Sequence, residues 1–436
     1  MNVEALYIQK KCTKSQAVST IESGKRVLLC SEPVALVEAL YDTREKFQPL
    51  YLYSMMGFAH PDIYNRLYNS KGAEHFRVAI SYMTRPESKA LKEGIHVDHL
   101  LTHFSRIEEL FQENIRPDYV LCNVSPMDEE GYFYMGICPG PGRKSVDLGA
   151  RAILQVNQNI PKINSEYNRI HISEVEALCE SSTVPAEIPD MEPSDLEKQM
   201  AKYIVERIED GSTIQLGVGG VPSAVGNFLE NHRHLGVHTE VFTDVMRSLM
   251  EKGIVDNSRK KIYKGQSVAA FIQGTKETYQ FIDQNKDIFF DKLSRVNNPE
   301  IIAQNERMIS INSCMGIDLR GQVCSECIGF DTYAGSGGQL DFVRGVRMSE
   351  GGKSFIAMRS VVTKKEGKMI SKITLSLPEG SVVTTPRNDV HYIVTEYGVA
   401  EMRNHTLSEK ARALIQIAHP AFREELTYQA RKKMII

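Results

Sequence analysis

Twice in this chain a short apolar run passes through a turn holding a proline and into a helix. The first is Arg26-Val-Leu-Leu-Cys30, then Ser31-Glu-Pro33, then a helix over Val34 to Tyr41. The second is the strand Thr213 to Leu216, the turn Gly217-Val218-Gly219-Gly220-Val221-Pro222, and an amphipathic helix. In that helix Ala224, Val225, Phe228 and Leu229 share one stripe. Strands alternating with helices build parallel sheets covered by helices. Setting Pro33 against Pro222 aligns VLLC with IQLG within a couple of residues, a repeat that predicts two related halves. The fold class expected is α/β, with two similar domains, each a mostly parallel sheet flanked by helices.

Other runs extend the alternation. Strands are expected at Pro49 to Tyr53, Pro117 to Val124, Ala152 to Val156, Val237 to Phe242 and Met308 to Asn312. Further strands are expected at Phe355 to Met358, Ile373 to Leu377, Val382 to Thr385 and Tyr392 to Thr395. Leu407 to Met434 reads as helical, interrupted at His419-Pro420. The stretch ESSTVPAEIPDMEPSD, residues 180–195, is rich in Pro, Ser and acid and is the natural linker. Ser194-Asp-Leu-Glu197 then reads as a capping box opening a helix to Ile208. The boundary is therefore expected near 190, giving an N-terminal domain over 1–190 and a C-terminal domain over 191–436.

Composition excludes several classes. A formal net charge of −3 over 436 residues, with no long basic block, argues against nucleic acid or an anionic membrane as the partner. No run approaches a transmembrane span. The opening MNVEALYIQKKCTK has no apolar core, so no secretory leader is expected and a cytoplasmic location is. The eight cysteines are scattered, which suits a reducing compartment. Cys324-Ser-Glu-Cys327 is the single CxxC, without the further ligands zinc needs, and reads as structural or incidental. No metal is expected.

Two features carry chemistry. The glycine loop between strand and helix can aim backbone N–H groups at an anion or a developing oxyanion. It also reads simply as a tight turn, since it lacks the full GxGxxG pattern and the Lys-Ser/Thr of a P-loop. The second feature is Glu240, a lone acid in an apolar strand, flanked by His238 and Asp244. A buried carboxylate needs partners. The alternative is the exposed face of a half-buried strand.

The order of motifs is more specific than either feature. QLGVGGVPSAV, HTEVFTD, INSCMGIDLRGQV, GSGGQLDFVRG, GGKSFIAM, VVTTPRNDVHYIVTEYGVAEMR and LIQIAHPAFREEL follow one another along the chain. Together they resemble the acetyl-CoA hydrolase/transferase family, most closely its 4-hydroxybutyrate and butyrate:acetate CoA-transferase branch. The resemblance covers nearly the whole chain. It implies two NagB/CoA-transferase-type α/β domains and a homodimer or larger assembly. It also implies a glutamate that becomes a covalent glutamyl-CoA thioester. Through the HTE-x-F-x-D context that nucleophile falls on Glu240. The CoA-ester loops fall on Gly217, Val218, Gly219, Gly220 and Val221, and on Gly335, Gly337, Gly338 and Gln339, with Asn312, Ser313 and Met315 nearby. The chain departs from the family in two places. Val245 stands where the family usually has Gly after the Asp, and Asn404 follows Arg403 near another usual Gly.

Moving CoA between two carboxylic acids asks for a carboxylate that attacks a thioester, in ping-pong fashion. It asks for no permanent cofactor; coenzyme A and its thioesters are substrates, and the partners are acyl-CoA and short carboxylates. Gln215 is a candidate donor to an oxyanion, or else a solvent-facing strand residue. The loop Gly335 to Gly338 suits the pantetheine or phosphates better than the reacting carbon. Lys353 is a candidate for a CoA phosphate, or else a solvated lysine. The loop Ser125 to Gly136 is expected to line the acid pocket opposite Glu240, with the site where the halves meet. An acyl-CoA hydrolase is the competing activity. A ligand sensor on the same fold is a minor one, since neither end carries a basic helix-turn-helix-like segment.

Overall fold

In a computed structural model of the protein, which describes residues 2–436, the run Arg26–Cys30 (β1) is the middle strand of seven. Leu50–Met56 (β2), Phe76–Tyr82 (β3) and Val97–His99 (β4) lie successively to one side. Tyr119–Val124 (β5), Arg151–Asn157 (β6) and Val175–Ser181 (β7) lie to the other. Every neighbouring pair is parallel. All six residues of β5 and the last six of β6 are buried, the mark of strands covered on both faces. The helix Val34–Asp42 (α1) follows β1 and buries Val34, Leu36, Val37, Ala39 and Leu40.

The second sheet has six strands. They are Thr213–Leu216 (β8), Gly236–Val237 (β9), Met308–Ser313 (β10), Lys353–Ala357 (β11), Tyr392–Thr395 (β12) and Gly398–Glu401 (β13). Their order is β9-β8-β10-β11-β12-β13. All pairs are parallel except the hairpin of β12 with β13. The chain packs as two units. One takes the chain up to Pro189 together with Val268–Val296; the other is Asp190–Ser267 with Asn297–Ile436. Residues 182–194 hold no helix or strand, as their composition predicts. The membership of 268–296 in the first unit has no compositional sign. No helix among the described residues is long and apolar enough to cross a membrane.

Local signals are read correctly where their partners are local. Ser194 and Glu197 form the capping box that opens Asp195–Val205 (α2). His419 caps the last helix and Pro420 is its first residue, which is why the helical tail breaks there. Three expected strands are not formed as expected. Val237 to Phe242 is not continuous: the strand ends at Val237, His238 makes a single bridge, and strand resumes at Val241–Phe242, with Glu240 in the bend between. Side chains take the backbone groups of Val237, its N–H going to Asn257 Oδ1 (2.9 Å) and its carbonyl to Lys260 Nζ (2.7 Å). Val382 to Thr385 is not a strand; it makes a single bridge, Thr385 to Val323. A β-branched sequence favours extended backbone, but only a neighbour makes a ladder. Ile373 to Leu377 likewise shrinks to Ile373–Thr374.

The two departures from the family pattern have structural readings. Asn404 has φ +62°, the left-handed region that glycine and asparagine enter most readily, so it can stand in for a glycine. Val245 lies in the first turn of Asp244–Glu251 (α4) and is buried against Gly226 of Gly220–Phe228 (α3). A Cβ on Gly226 would fall inside the Val245 Cγ1 methyl. Glycine in mid-helix costs about 1 kcal/mol against alanine, so here close packing of the helices outweighs propensity.

This yields a prediction about stability. Gly226→Ala should destabilise the protein by about 1–3 kcal/mol, the usual range for overpacking. Adding Val245→Ala should recover much of the loss, giving a favourable coupling in a double-mutant cycle of denaturant midpoints. A Gly226→Ala protein as stable as the parent would mean the α3–α4 spacing yields without cost.

Candidate active site

In the second unit β8, β10 and β11 run parallel, so their C-terminal ends share one edge. The functional residues collect there because each strand hands its chain to a loop at that edge. Glu240 lies just past the end of β9, whose chain continues with His238 N–H bonded to the Ile214 carbonyl of β8 (3.1 Å). The approach to Glu240 is tightly held. Buried Thr239 donates from Oγ1 to the Val241 carbonyl (3.1 Å), closing the bend around Glu240. The His238 ring stands edge-on to Tyr263 and to Phe342. Lys260 is buried beneath the same chain, its Nζ on the carbonyls of Val237 and Gln266 (2.6 Å), and burial pushes its ammonium down to about 7.

The Glu240 carboxylate meets two neutral donors. Asn297 Nδ2 donates to Oε2 at 2.6 Å, and the Gly338 N–H is the second donor. Gly338 is the N-cap of Gln339–Met348 (α5), so the carboxylate sits at a helix N-terminus. Among the described residues no cation pairs with it. Burial pushes its carboxyl up to about 8; the Asn297 bond opposes the rise, Asp341 adds to it and the Gly338 bond opposes it. Asn297 is fully buried. Its importance was not visible in the chain, 57 residues from Glu240 with no motif around it.

The second glycine loop, expected to suit pantetheine or phosphates, therefore lies against the Glu240 carboxylate. Gly337 has φ +55°, so its glycine serves the turn. Gly338 has ordinary backbone angles, and its glycine serves space: a Cβ there would overlap both Glu240 Oε2 and Asn297 Nδ2. Gly335 is buried at the start of this loop. Gln339, the first helical residue, donates to Thr385 Oγ1 (3.1 Å).

The first glycine loop lies on the same edge. Gly217 spends its N–H on the Ile311 carbonyl of β10 (2.8 Å), so it is a ladder residue and not an anion donor. Gly219 has φ +134°, open only to glycine, and approaches Ser313. Gly220 begins α3 and lies on the Glu197 carboxylate, 2.5–2.7 Å from where its Cβ would be. That carboxylate is bonded to Ser194 N–H and Oγ (2.8 Å each) and paired with Arg359 (3.0 Å). Burial raises its pKa, but the Ser194 bonds and Arg359 outweigh burial and hold it below the usual range. Val218 is exposed and Val221 buried.

Gln215 is not solvent-facing. It is 3% exposed and exchanges two hydrogen bonds with half-buried Asn312, Nε2 to Oδ1 at 3.3 Å and Nδ2 to Oε1 at 3.2 Å. Ser313 is exposed at the end of β10, and Met315 bonds its N–H to the Cys324 carbonyl (2.8 Å). Lys353 is not brought to this edge. It pairs in register with Ile309 at the opposite end of the strand, four residues before Ala357. At 3.3 Å per residue that is roughly 13 Å away. Its Nζ is bound to the Arg207 carbonyl and Glu209 (3.0 Å each), so the CoA-phosphate reading for Lys353 is dropped.

In the first unit, the loop after β5 is shaped by Asp128, which accepts the N–H groups of Glu130 and Tyr132. It borders a cavity of about 940 Å³ with Tyr134 and Lys162 in its wall. Tyr132 is not in that wall; its ring is held between Arg169 (4.0 Å) and His171 (5.0 Å).

Comparison with known proteins agrees with this geometry. Residues 1–190 match the acetyl-CoA hydrolase/transferase N-terminal domain, and 274–430 match the C-terminal domain. The chain is 37% identical to the 4-hydroxybutyrate coenzyme A transferase of Clostridium kluyveri, over 99% of this chain and all of that one. It is 32% identical to the butyryl-CoA:acetate CoA-transferase of Anaerostipes caccae, over 100% and 99%. Among solved structures, RipA from Yersinia pestis superposes with a TM-score of 0.94 at 35% identity over both whole chains. A 4-hydroxybutyrate CoA-transferase from Porphyromonas gingivalis superposes at 0.81 and 34% identity, over 99% of each. A sheet edge with a half-buried glutamate at a glycine-capped helix, and two matched domains spanning most of the chain, lead to one conclusion: the protein belongs to the acetyl-CoA hydrolase/transferase family.

Proposed function

We propose that this enzyme is a CoA-transferase that moves CoA between short-chain carboxylic acids, through a thioester on Glu240. Acetyl-CoA with 4-hydroxybutyrate or butyrate is the substrate pair that its relatives suggest. The observation that carries the reading is the Glu240 carboxylate: half-buried, with its carboxyl pushed up to about 8, bonded to two neutral donors and, among the described residues, paired with no cation. A carboxylate so held loses the hydration that makes it a poor nucleophile.

The reaction is written in balanced steps. A Glu240 carboxylate oxygen attacks the thioester carbonyl, and the tetrahedral adduct collapses to an acyl-glutamyl anhydride with CoA thiolate released. The thiolate attacks the glutamyl carbonyl of the anhydride, expels the first acid as its carboxylate and leaves glutamyl-CoA. A second carboxylate then runs the same steps backwards. Each tetrahedral adduct carries an oxyanion. The Gly338 N–H at the start of α5 is suited to the one on the glutamyl carbon, since it already bonds that carboxylate. Since Gly217 is committed to the sheet, an oxyanion at the first loop would be met from Val218 onward. The Gln215–Asn312 amide pair then serves to fix the strand ends beneath that loop.

Four outcomes test this. With acetyl-CoA and a panel of short carboxylates, new CoA esters should form, identified by mass; CoA release that does not depend on the acid would instead favour the hydrolase. Glu240→Gln should lower transfer by several orders of magnitude. Glu240→Asp should lose at least about 10²-fold, because a displacement of about 1 Å has that effect. Protein incubated with acetyl-CoA should gain the mass of CoA less one water on the peptide carrying Glu240. An adduct on Cys314 or Cys324, or full activity in Glu240→Gln, would falsify the glutamyl-CoA reading.

The pH dependence has a definite sign. Attack needs the ionised carboxylate, so adduct formation should rise with pH through about 8 and level off above it. Asn297→Ala removes a bond that favours ionisation and should move the inflection upward. By linkage, a carboxyl whose folded pKa is raised adds stability that is fully present below its unfolded pKa and lost as pH rises through about 8. Glu240→Gln should thus gain stability over the parent above that pH and not at acid pH. An inflection near the ordinary carboxylate value would contradict the burial argument.

A further inference from the structure

One buried carboxylate of the second unit has no part in the steps above. Glu326 is 7% exposed and stands in the turn between Cys324 and Cys327. Its Oε1 accepts from Thr384 Oγ1 (2.8 Å), and its Oε2 accepts from Ser336 Oγ (3.1 Å). Its backbone carbonyl accepts the N–H groups of Tyr333 (2.8 Å) and Ala334 (3.1 Å). Ser336 lies in the glycine loop, two residues before Gly338; Tyr333 and Ala334 lead into that loop. One residue thus grips the second glycine loop by side chain and main chain together.

The turn that presents Glu326 is itself fixed. Cys324 Sγ donates to the Cys327 carbonyl (3.2 Å), and the two thiols lie 3.6 Å apart, both buried. Cys327 Sγ accepts the Val382 N–H (3.4 Å), and Ser325 N–H bonds Thr384 Oγ1 (2.9 Å). The far wall is equally held, by Val323 on the N–H groups of Thr384 (2.8 Å) and Thr385 (3.2 Å), with Gln339 on Thr385. Around Gly337 the loop has no regular ladder, and a loop of glycines keeps its shape only through such outside bonds.

From this we infer that Glu326 is a positioning residue for the transfer reaction. Acting through Ser336, it sets where Gly338 presents its N–H to Glu240. The CxxC stretch is the frame that aims Glu326. The inference rests on the Glu240 reading above. A buried carboxylate accepting hydrogen bonds from neutral hydroxyls is an expensive way to hold a loop; its use here fits a loop whose placement must be accurate to a fraction of an ångström.

The test compares Ser336→Ala, Glu326→Ala and Glu326→Gln with the parent. The readouts are the single-turnover rate of the CoA adduct on Glu240, by intact mass, and the dissociation constant for CoA. Ser336 is half-buried and its replacement by alanine removes only a hydroxyl, so its variant should fold. Ser336→Ala and Glu326→Ala should slow adduct formation by about 10- to 100-fold, the effect expected of a displacement near 1 Å. CoA binding should stay within about twofold. Glu326→Gln can accept from Thr384 and donate to Ser336 Oγ, so it should keep most of the parent rate. Parent-like adduct formation in Ser336→Ala overturns the inference, and so does a Glu326→Gln rate as low as that of Glu326→Ala. If Glu326→Ala does not fold, Ser336→Ala decides alone. If the parent itself gains no adduct on Glu240, the Glu240 reading fails; an adduct that forms equally fast in Ser336→Ala sinks only the role of Glu326.

Discussion

The second unit depends on one constraint: a half-buried carboxylate, Glu240, held by neutral donors and, among the described residues, without a cation. An ionised carboxylate in such a place is costly unless donors reach it. Here a side-chain amide, Asn297, and a helix-capping N–H, Gly338, are those donors. They can reach it because the residue at 338 has no Cβ. Donors that carry no charge leave the carboxyl with a raised pKa; a lysine or arginine in their place would have tied it up as an ion pair.

Much of the surrounding chain follows from this requirement. The bend at Glu240 interrupts what would otherwise be one strand, and Asn257 and Lys260 take the backbone groups of Val237. Each glycine loop is braced by a carboxylate from outside the loop. Glu197 lies under Gly220 and is paired with Arg359; Glu326 holds Ser336 through neutral bonds. The glycines themselves are not equivalent. Gly219 and Gly337 are required for their backbone angles, Gly338 and Gly226 for space. The parallel sheet explains why these loops meet at all, since strands of one direction deliver their loops to one edge.

Much of the fold was legible in the sequence because its signals are local. The capping box at Ser194, the break at Pro420 and the apolar runs of β1, β5 and β8 need only near neighbours and the general rule that such runs seek burial. The site was legible in part. Glu240 and both glycine loops stand out as an acid in an apolar run and as glycine clusters. Asn297 did not, because an asparagine in a polar stretch looks like any turn residue. Gln215 was open between two readings, since a strand residue's face depends on what packs beside it. Lys353 was misjudged: motif order along the chain does not say which end of a strand a residue occupies.

The sequence by itself determined the alternation of strands and helices, the linker before Ser194, the glutamate and the glycines, and the family to which their order points. Those properties reside in composition and spacing over a few residues. Tertiary structure alone decided that Val237 to Phe242 is broken at the glutamate and that 268–296 packs with the first unit. It alone decided that the second glycine loop is the one against Glu240, that Asn297 bonds the Glu240 carboxylate and that Glu326 bonds Ser336 of the loop. These pairings join residues from ten to almost a hundred positions apart. Their energies come from burial and from a missing Cβ, which exist only once the chain has folded and water has been excluded.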